Sequence, residues 1–178
     1  MSQPLHIRRL AGSDLNPYRR LRQQALQECP GAFSATAAGE RQLSDVQLLA
    51  RFAGAPGQAM WGAVTETGAL CATLGMDRDL GEKLAHKAQL YAMYVAPEAR
   101  GQGLAKRLLH IARAHAAQLG LRQLLLGCNA DNGHALRLYE QAGFRRYGLA
   151  PEAIGIDGRF FDEVLMVMTL TAGPPEAG

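Results

Sequence analysis

Cysteine is scarce: Cys29, Cys71 and Cys128 are the only three in 178 residues, widely separated, odd in number and without Cys-x-x-Cys spacing. That excludes a disulfide scaffold and a thiolate zinc cluster, and no metal is expected. It suits a reducing compartment, so a cytoplasmic location is expected. No apolar run reaches the roughly 18–20 residues of a membrane helix. The stretch Met1–Arg9 carries charge where a signal peptide needs an apolar core, so neither a membrane nor a secretory role is expected. An excess of one charge is missing as well. Nineteen Lys and Arg against 16 Asp and Glu give a formal net charge of +3, and aromatic residues make up 6%. That is neither a basic footprint nor a base-stacking array, so no nucleic-acid partner is expected. Two nucleotide cradles are also absent. There is no G-x-x-x-x-G-K-[S/T], and G-x-G-x-x-G fails because Lys106 stands at the third glycine position.

What is present is one domain's worth of apolar sequence, 48% of the residues. A single domain is expected over 1–170, with 171–178, Ala-Gly-Pro-Pro-Glu-Ala-Gly at its end, as a disordered tail. Leu5–Leu10 alternates like a first strand. Pro17 opens a helix with Tyr18, Leu21, Arg22, Ala25 and Leu26 on one stripe, and Pro30-Gly31 ends it. A loop with Phe33 follows. Ser44-Asp45 caps a second helix to about Ala53, with Val46, Leu49, Ala50 and Ala53 read as its buried side, and Gly54–Gly57 stops it. Met60–Thr65 and Leu70–Met76 form a hairpin, and Asp77–Lys87 is an exposed connection. Ala88–Val95 is apolar enough for a central strand.

A Gly-rich loop with one arginine comes next, Arg100-Gly101-Gln102-Gly103. Leu104, Ala105, Leu108, Leu109, Ala112, Ala116 and Leu119 then recur at helical spacing to Gly120. Leu121–Gly127 reads as a parallel neighbour of the central strand, reached through that helix. Asn129–Asn132 caps a helix carrying Ala135, Leu138, Tyr139 and Ala142. Phe144–Leu149 and Glu163–Leu170 are the last strands, with a turn at Asp157-Gly158. Gly101 and Gly103 leave backbone N–H groups uncovered at a helix start, where unpaired donors and the helix dipole attract phosphate.

Val95-x-Pro97, then Arg100-Gly-Gln-Gly-Leu-Ala105, then Asn132-x-x-Ala135-x-x-Leu138-Tyr139-x-x-x-Gly143-Phe144 resembles the GNAT superfamily of acyl-CoA-dependent N-acetyltransferases. The resemblance spans about Ala88–Phe144. It implies an α/β (α+β) fold: a mixed, mostly antiparallel twisted sheet with helices on both faces and a V-shaped opening at the central strand. It further implies that Arg100, Gly101, Gln102, Gly103, Leu104 and Ala105 bind the pyrophosphate of acetyl-CoA. Met93 and Val95 would pair with the pantetheine arm, the Met93 N–H polarising the thioester carbonyl, and Asn132 would contact the arm. Tyr139 would be the general acid at the thioester sulfur.

The activity so implied is acetyl transfer to a primary amine by direct attack in a ternary complex. The acceptor is a small-molecule amine or a peptide or protein amine, and a homodimer is open by resemblance. The alternative is a CoA-binding sensor or structural module without turnover. No Asp or Glu lies on Tyr91–Tyr94, so the general base stays open among Glu163, Asp162, Tyr91 and Tyr94, acting through water. Phe33, Glu40, Phe160 and Phe161 are candidates for the acceptor side and equally suit plain packing. Cys128 near His134 reads as a buried thiol, for want of a third orienting group. Arg19-Arg20 and Arg145-Arg146 read as solvated faces, with gripping of an acidic acceptor or of the cofactor's 3′-phosphate as the lesser reading.

Overall fold

The computed structural model describes residues 5–53 and 57–170; the expectations for the 171–178 tail and for Gly54–Pro56 lie outside them. Seven strands and five α-helices lie within the described residues. They are β1 (Leu5–Arg9), α1 (Leu15–Glu28), α2 (Ala37–Gln42), α3 (Asp45–Ala53), β2 (Ala59–Thr65), β3 (Leu70–Arg78) and β4 (Lys87–Val95). After the glycine loop come α4 (Leu104–Gln118), β5 (Gln123–Asn129), α5 (Gly133–Gln141), β6 (Arg145–Ile156) and β7 (Arg159–Thr169). The strands form one sheet in the order β1-β2-β3-β4-β5-β7-β6, antiparallel throughout except for the β4–β5 pair. That pair is joined through α4, as a parallel crossover requires.

Strand alternation sorts the core onto both faces of the sheet. Ala59, Trp61 and Ala63 of β2 face Leu104, Leu108 and Ala112 of α4 and Leu136 and Tyr139 of α5. Met60 and Val64, pointing the other way, join Tyr18, Leu21 and Ala25 of α1 and Leu48 and Phe52 of α3. Tyr18 and Phe52 meet edge to face at 5.2 Å between ring centroids. Helices α1 and α3 therefore cover one sheet face and α4 and α5 the other, the arrangement expected from the resemblance.

Three sequence readings change here. The buried stripe of α3 is Leu48 and Phe52, while Val46 and Leu49 are 76% and 39% exposed. The larger pair fills the hole beside Tyr18, so volume decides between two stripes of equal helical spacing. The supposed loop after Phe33 contains α2, capped by Thr36, whose Oγ1 accepts the Gly39 N–H at 3.0 Å. The last hairpin is longer than expected, since β6 and β7 extend to the Asp157-Gly158 turn and pair from Arg145 to Arg159.

Two features of the middle of the sheet position the site. β4 and β5 pair only through Lys87–Gln89 and Gln123–Leu125. Beyond that the strands part, which is the V-shaped opening. On its other edge β4 carries a bulge: Thr73 opposes Tyr94 but Gly75 opposes Tyr91, so the pairing shifts by one residue at Ala92–Met93. Ala92 takes a left-handed backbone, φ 53°, a conformation that costs a non-glycine residue of order 1 kcal/mol or more. The bulge is pinned by Thr73, buried at 3% exposure, whose Oγ1 donates to the Ala92 carbonyl at 3.0 Å.

Candidate functional site

The glycine loop runs from β4 through a short turn at Pro97–Ala99 into α4. Gly101 and Gly103 hold φ of 77° and 71°, and a Cβ added at either would meet no atom within 4 Å. The loop thus presents bare left-handed backbone to open space. Gly103 caps α4 without a side-chain bond to the first-turn N–H groups, which leaves those donors for an anion. Gln102 and Gly103 are exposed, Ala105 is half-buried, and Leu104 points inward at 2% exposure to anchor the helix start. These features fit a diphosphate: an anion's oxygens can approach the backbone here, and any side chain in place of the glycines would stand in the way.

Arg100 does not point out over the loop. Its Nη2 donates to Glu28 Oε1 in a short contact, its Nε donates to the Val95 carbonyl at 3.1 Å, and its guanidinium lies over the Tyr94 ring. Tyr94 Oη also donates to Glu28, in a second short contact. Tyr94, with Arg100 next, holds the Glu28 carboxyl below the usual range, while burial and the Glu28 carboxylate push the Tyr94 phenol far above its own. Tyr91 also lies far above the ordinary range through burial, its ring resting on Gly75. Both phenols therefore keep their protons at neutral pH.

Met93 and Val95 lie past the end of the β4–β5 ladder, half-buried, on the strand edge that faces the opening. Asn132 caps α5, its Oδ1 accepting the Ala135 N–H at 3.0 Å. Tyr139 projects from α5 into the core at 8% exposure, edge to face with Phe144 at 5.9 Å. Burial first, then nearby Cys128, raise its phenol well above 10, so it keeps its proton. Cys128 is buried with its thiol pushed up to about 11, an inert state.

The opposite face of β5 and β7 is more open. Gly127 is exposed, and the Glu163 carboxylate lies across it: a Cβ added at Gly127 would stand 2.8 Å from Oε2 and 3.2 Å from Oε1. The Pro30–Ala32 turn rims this face. Asn129 Nδ2 donates to the Gly31 carbonyl at 2.8 Å, and the Phe161 ring lies 3.3 Å from a Cβ placed on Gly31. Of the other acceptor-side candidates, Phe160 is 62% exposed, Phe33 stacks under Arg22 at 4.7 Å, and Glu40 is buried among helices. Arg146 pairs with Glu140 at 2.8 Å and Arg19 with Asp45 at 2.6 Å. Among the described residues no cluster of His, Cys, Asp and Glu could hold a metal ion, and no helix is long and apolar enough to cross a membrane.

Residues 20–144 match the sequence model of the Acetyltransferase (GNAT) family. Mycothiol acetyltransferase of Geodermatophilus obscurus is 41% identical over 61 residues, 34% of this chain and 20% of that protein. The N-acetyltransferase YjgM of Escherichia coli K12 is 32% identical over 120 residues, 65% of this chain and 66% of that protein. The chain thus spans about a fifth of the first relative and just under two thirds of the second. A GNAT phosphinothricin acetyltransferase from Sinorhizobium meliloti, solved with acetyl-CoA, superposes at a TM-score of 0.78 with 22% identity, over 98% of this chain and 94% of that one. The shared architecture includes the seven-stranded, mostly antiparallel sheet.

Proposed function

The chain belongs to the GNAT acetyltransferase family, and from that premise we propose that it transfers acetyl from acetyl-CoA to a primary amine by direct attack in a ternary complex. The observation that carries this reading is the combination at β4. A pinned bulge and a parted β4–β5 ladder lead straight into a helix start made of bare glycine backbone. A phosphate cradle alone binds anions of many kinds. A cradle at the end of an open strand edge suits a diphosphate with an extended amide arm, because the arm can add to the edge as a strand would.

In this reading Gly101–Ala105 hold the pyrophosphate, and Arg100 leaves Glu28 to reach it. The edges of Met93 and Val95 receive the arm. Since Arg100 occupies the Val95 carbonyl in the structure, its departure also opens that acceptor. The Met93 N–H polarises the thioester carbonyl where negative charge develops. Asn132 keeps its cap while its amide nitrogen contacts the arm, and Tyr139 donates its proton to the departing sulfur. Burial keeps the Tyr139 phenol protonated, so the proton that the sulfur takes is present at neutral pH.

The test is thiol release from acetyl-CoA with a panel of phenethylamine, putrescine, lysine and a peptide with a free N-terminus. Sustained, amine-dependent release is the expected result. Tyr139→Phe should lower kcat by about 10²-fold or more with little change in acetyl-CoA affinity. Tight acetyl-CoA binding without turnover across the panel would overturn the enzyme and leave the CoA-binding module.

A further inference from the structure

Acetyl transfer to an ammonium group needs a proton acceptor on the side from which the amine arrives. β4 supplies none: its residues from Lys87 to Val95 include no carboxylate. The opposite half of the sheet does. Val164 packs in the core with Cys128, Leu126 and Tyr139. By strand alternation Glu163 and Gly127, each adjacent to one of these core residues, face the other way. Their strands are locked in register, Asn129 opposite Glu163 and Gly127 opposite Leu165. The carboxylate of Glu163 crosses to β5 and rests on the bare Cα of Gly127, filling the space where a β5 side chain would otherwise project.

We infer that Glu163 is the general base and the ammonium-recognising group of this enzyme, facing the amine across the sheet from Tyr139. The inference rests on the acetyltransferase reading and adds the acceptor side to it: a primary amine that arrives protonated, on the face rimmed by Pro30–Ala32 and Phe161. The other carboxylate left open by the sequence, Asp162, is committed elsewhere, its Oδ1 accepting the Glu152 N–H at 2.8 Å.

The surroundings suit a base. Burial alone raises the Glu163 carboxyl above its ordinary range, toward the poise a proton acceptor needs. Its cross-strand partners, Asn129 and Ala150, carry no charge. The Pro30–Ala32 turn brings no ionisable side chain. Asp162 precedes it on β7, and Cys128 on β5 feels its charge but stays a neutral thiol. No cation among these holds the carboxylate out of use.

The protons balance with Glu163 and Tyr139 on opposite faces. Of the three on the ammonium, one goes to Glu163 and then to solvent as the amine nitrogen is freed to attack. The C–N bond forms and the C–S bond breaks. Tyr139 protonates the departing sulfur and recovers the second ammonium proton, and the third stays on the amide. One proton is released overall.

The experiment compares the fastest amine of the panel with hydroxylamine, a nucleophile already unprotonated at neutral pH. In Glu163→Gln, transfer to the amine should fall about 100-fold or more, and the acid limb of its kcat/KM profile should vanish. Transfer to hydroxylamine and acetyl-CoA affinity should stay near wild type. Glu163→Ala combined with Gly127→Glu should regain amine transfer over Glu163→Ala alone, since a β5 side chain then occupies the same place. An unchanged amine rate and pH profile in Glu163→Gln, or equal losses with both nucleophiles, would overturn the inference while leaving the acetyltransferase in place. A wild-type protein inactive with every nucleophile would instead overturn the reading on which it rests.

Discussion

Glu163 leaves a signature in stability as well as in rate. Its carboxyl is raised in the folded protein by burial, so the native state holds that proton to higher pH than the unfolded chain does. The protonated side chain's favourable contribution is fully present below the ordinary carboxylate range and is lost as pH rises through the raised value. Glu163→Gln removes that slope, so it should gain stability relative to wild type as pH rises from 4 to 7 (~3 units, spanning the ordinary carboxylate range). Urea melts across the range check this, and parallel curves would mean that Glu163 is no more buried folded than unfolded. At Gly103 the change is simpler. Gly103→Glu puts a carboxylate at the anion site on a backbone of φ 71°, a conformation that disfavours side chains. Calorimetric affinity for coenzyme A should fall by about 100-fold or more, since like charge and strain add.

Helices α1, α2 and α3 are tied by ions. Glu40 of α2 is 5% exposed and pairs with Arg51 of α3 at 2.5 Å and with Arg22 of α1 at 3.5 Å. Arg22 is itself buried, with no hydrogen-bond partner for its Nε or Nη1. Glu40→Ala strands that guanidinium, and about 3 kcal/mol of unfolding free energy should be lost by denaturant titration. At this scale the sequence is legible where one signal dominates. The α4 stripe from Leu104 to Ala116 and the strand-loop-helix around Arg100 read directly, because periodicity and glycines agree. In α3, Leu48 with Phe52 and Val46 with Ala50 share the same spacing, and only the hole beside Tyr18 separates them. In α2, six residues including Gly39 are too few for a period, although Thr36 marks the cap. The bulge at Ala92 leaves no mark in Tyr91-Ala-Met-Tyr94, because it is set by Thr73 on another strand. Glu163 and Gly127 are far apart in the chain, and only the β5–β7 register brings them together.

The whole molecule is a sheet whose two halves share one short parallel seam, three residues long on each strand. One half, β1 to β4, carries the bulge and leads into the cradle; the other, β5 to β7, carries Glu163, with Tyr139 packed on its far face. A ligand running from the cradle along β4 lies between the halves and supplies the ladder partner that β5 withholds beyond Gln89. Acetyl-CoA should therefore slow amide hydrogen exchange in two places together, Leu90–Val95 and Gly101–Lys106, while β1 and β2 exchange as before. Protection confined to Gly101–Lys106 would mean that the arm does not enter the opening, and the Met93 role would fall. Protection at both places would tie the phosphate grip to the parted strands, because the strand edge gains hydrogen-bond partners only when an extended chain is laid against it.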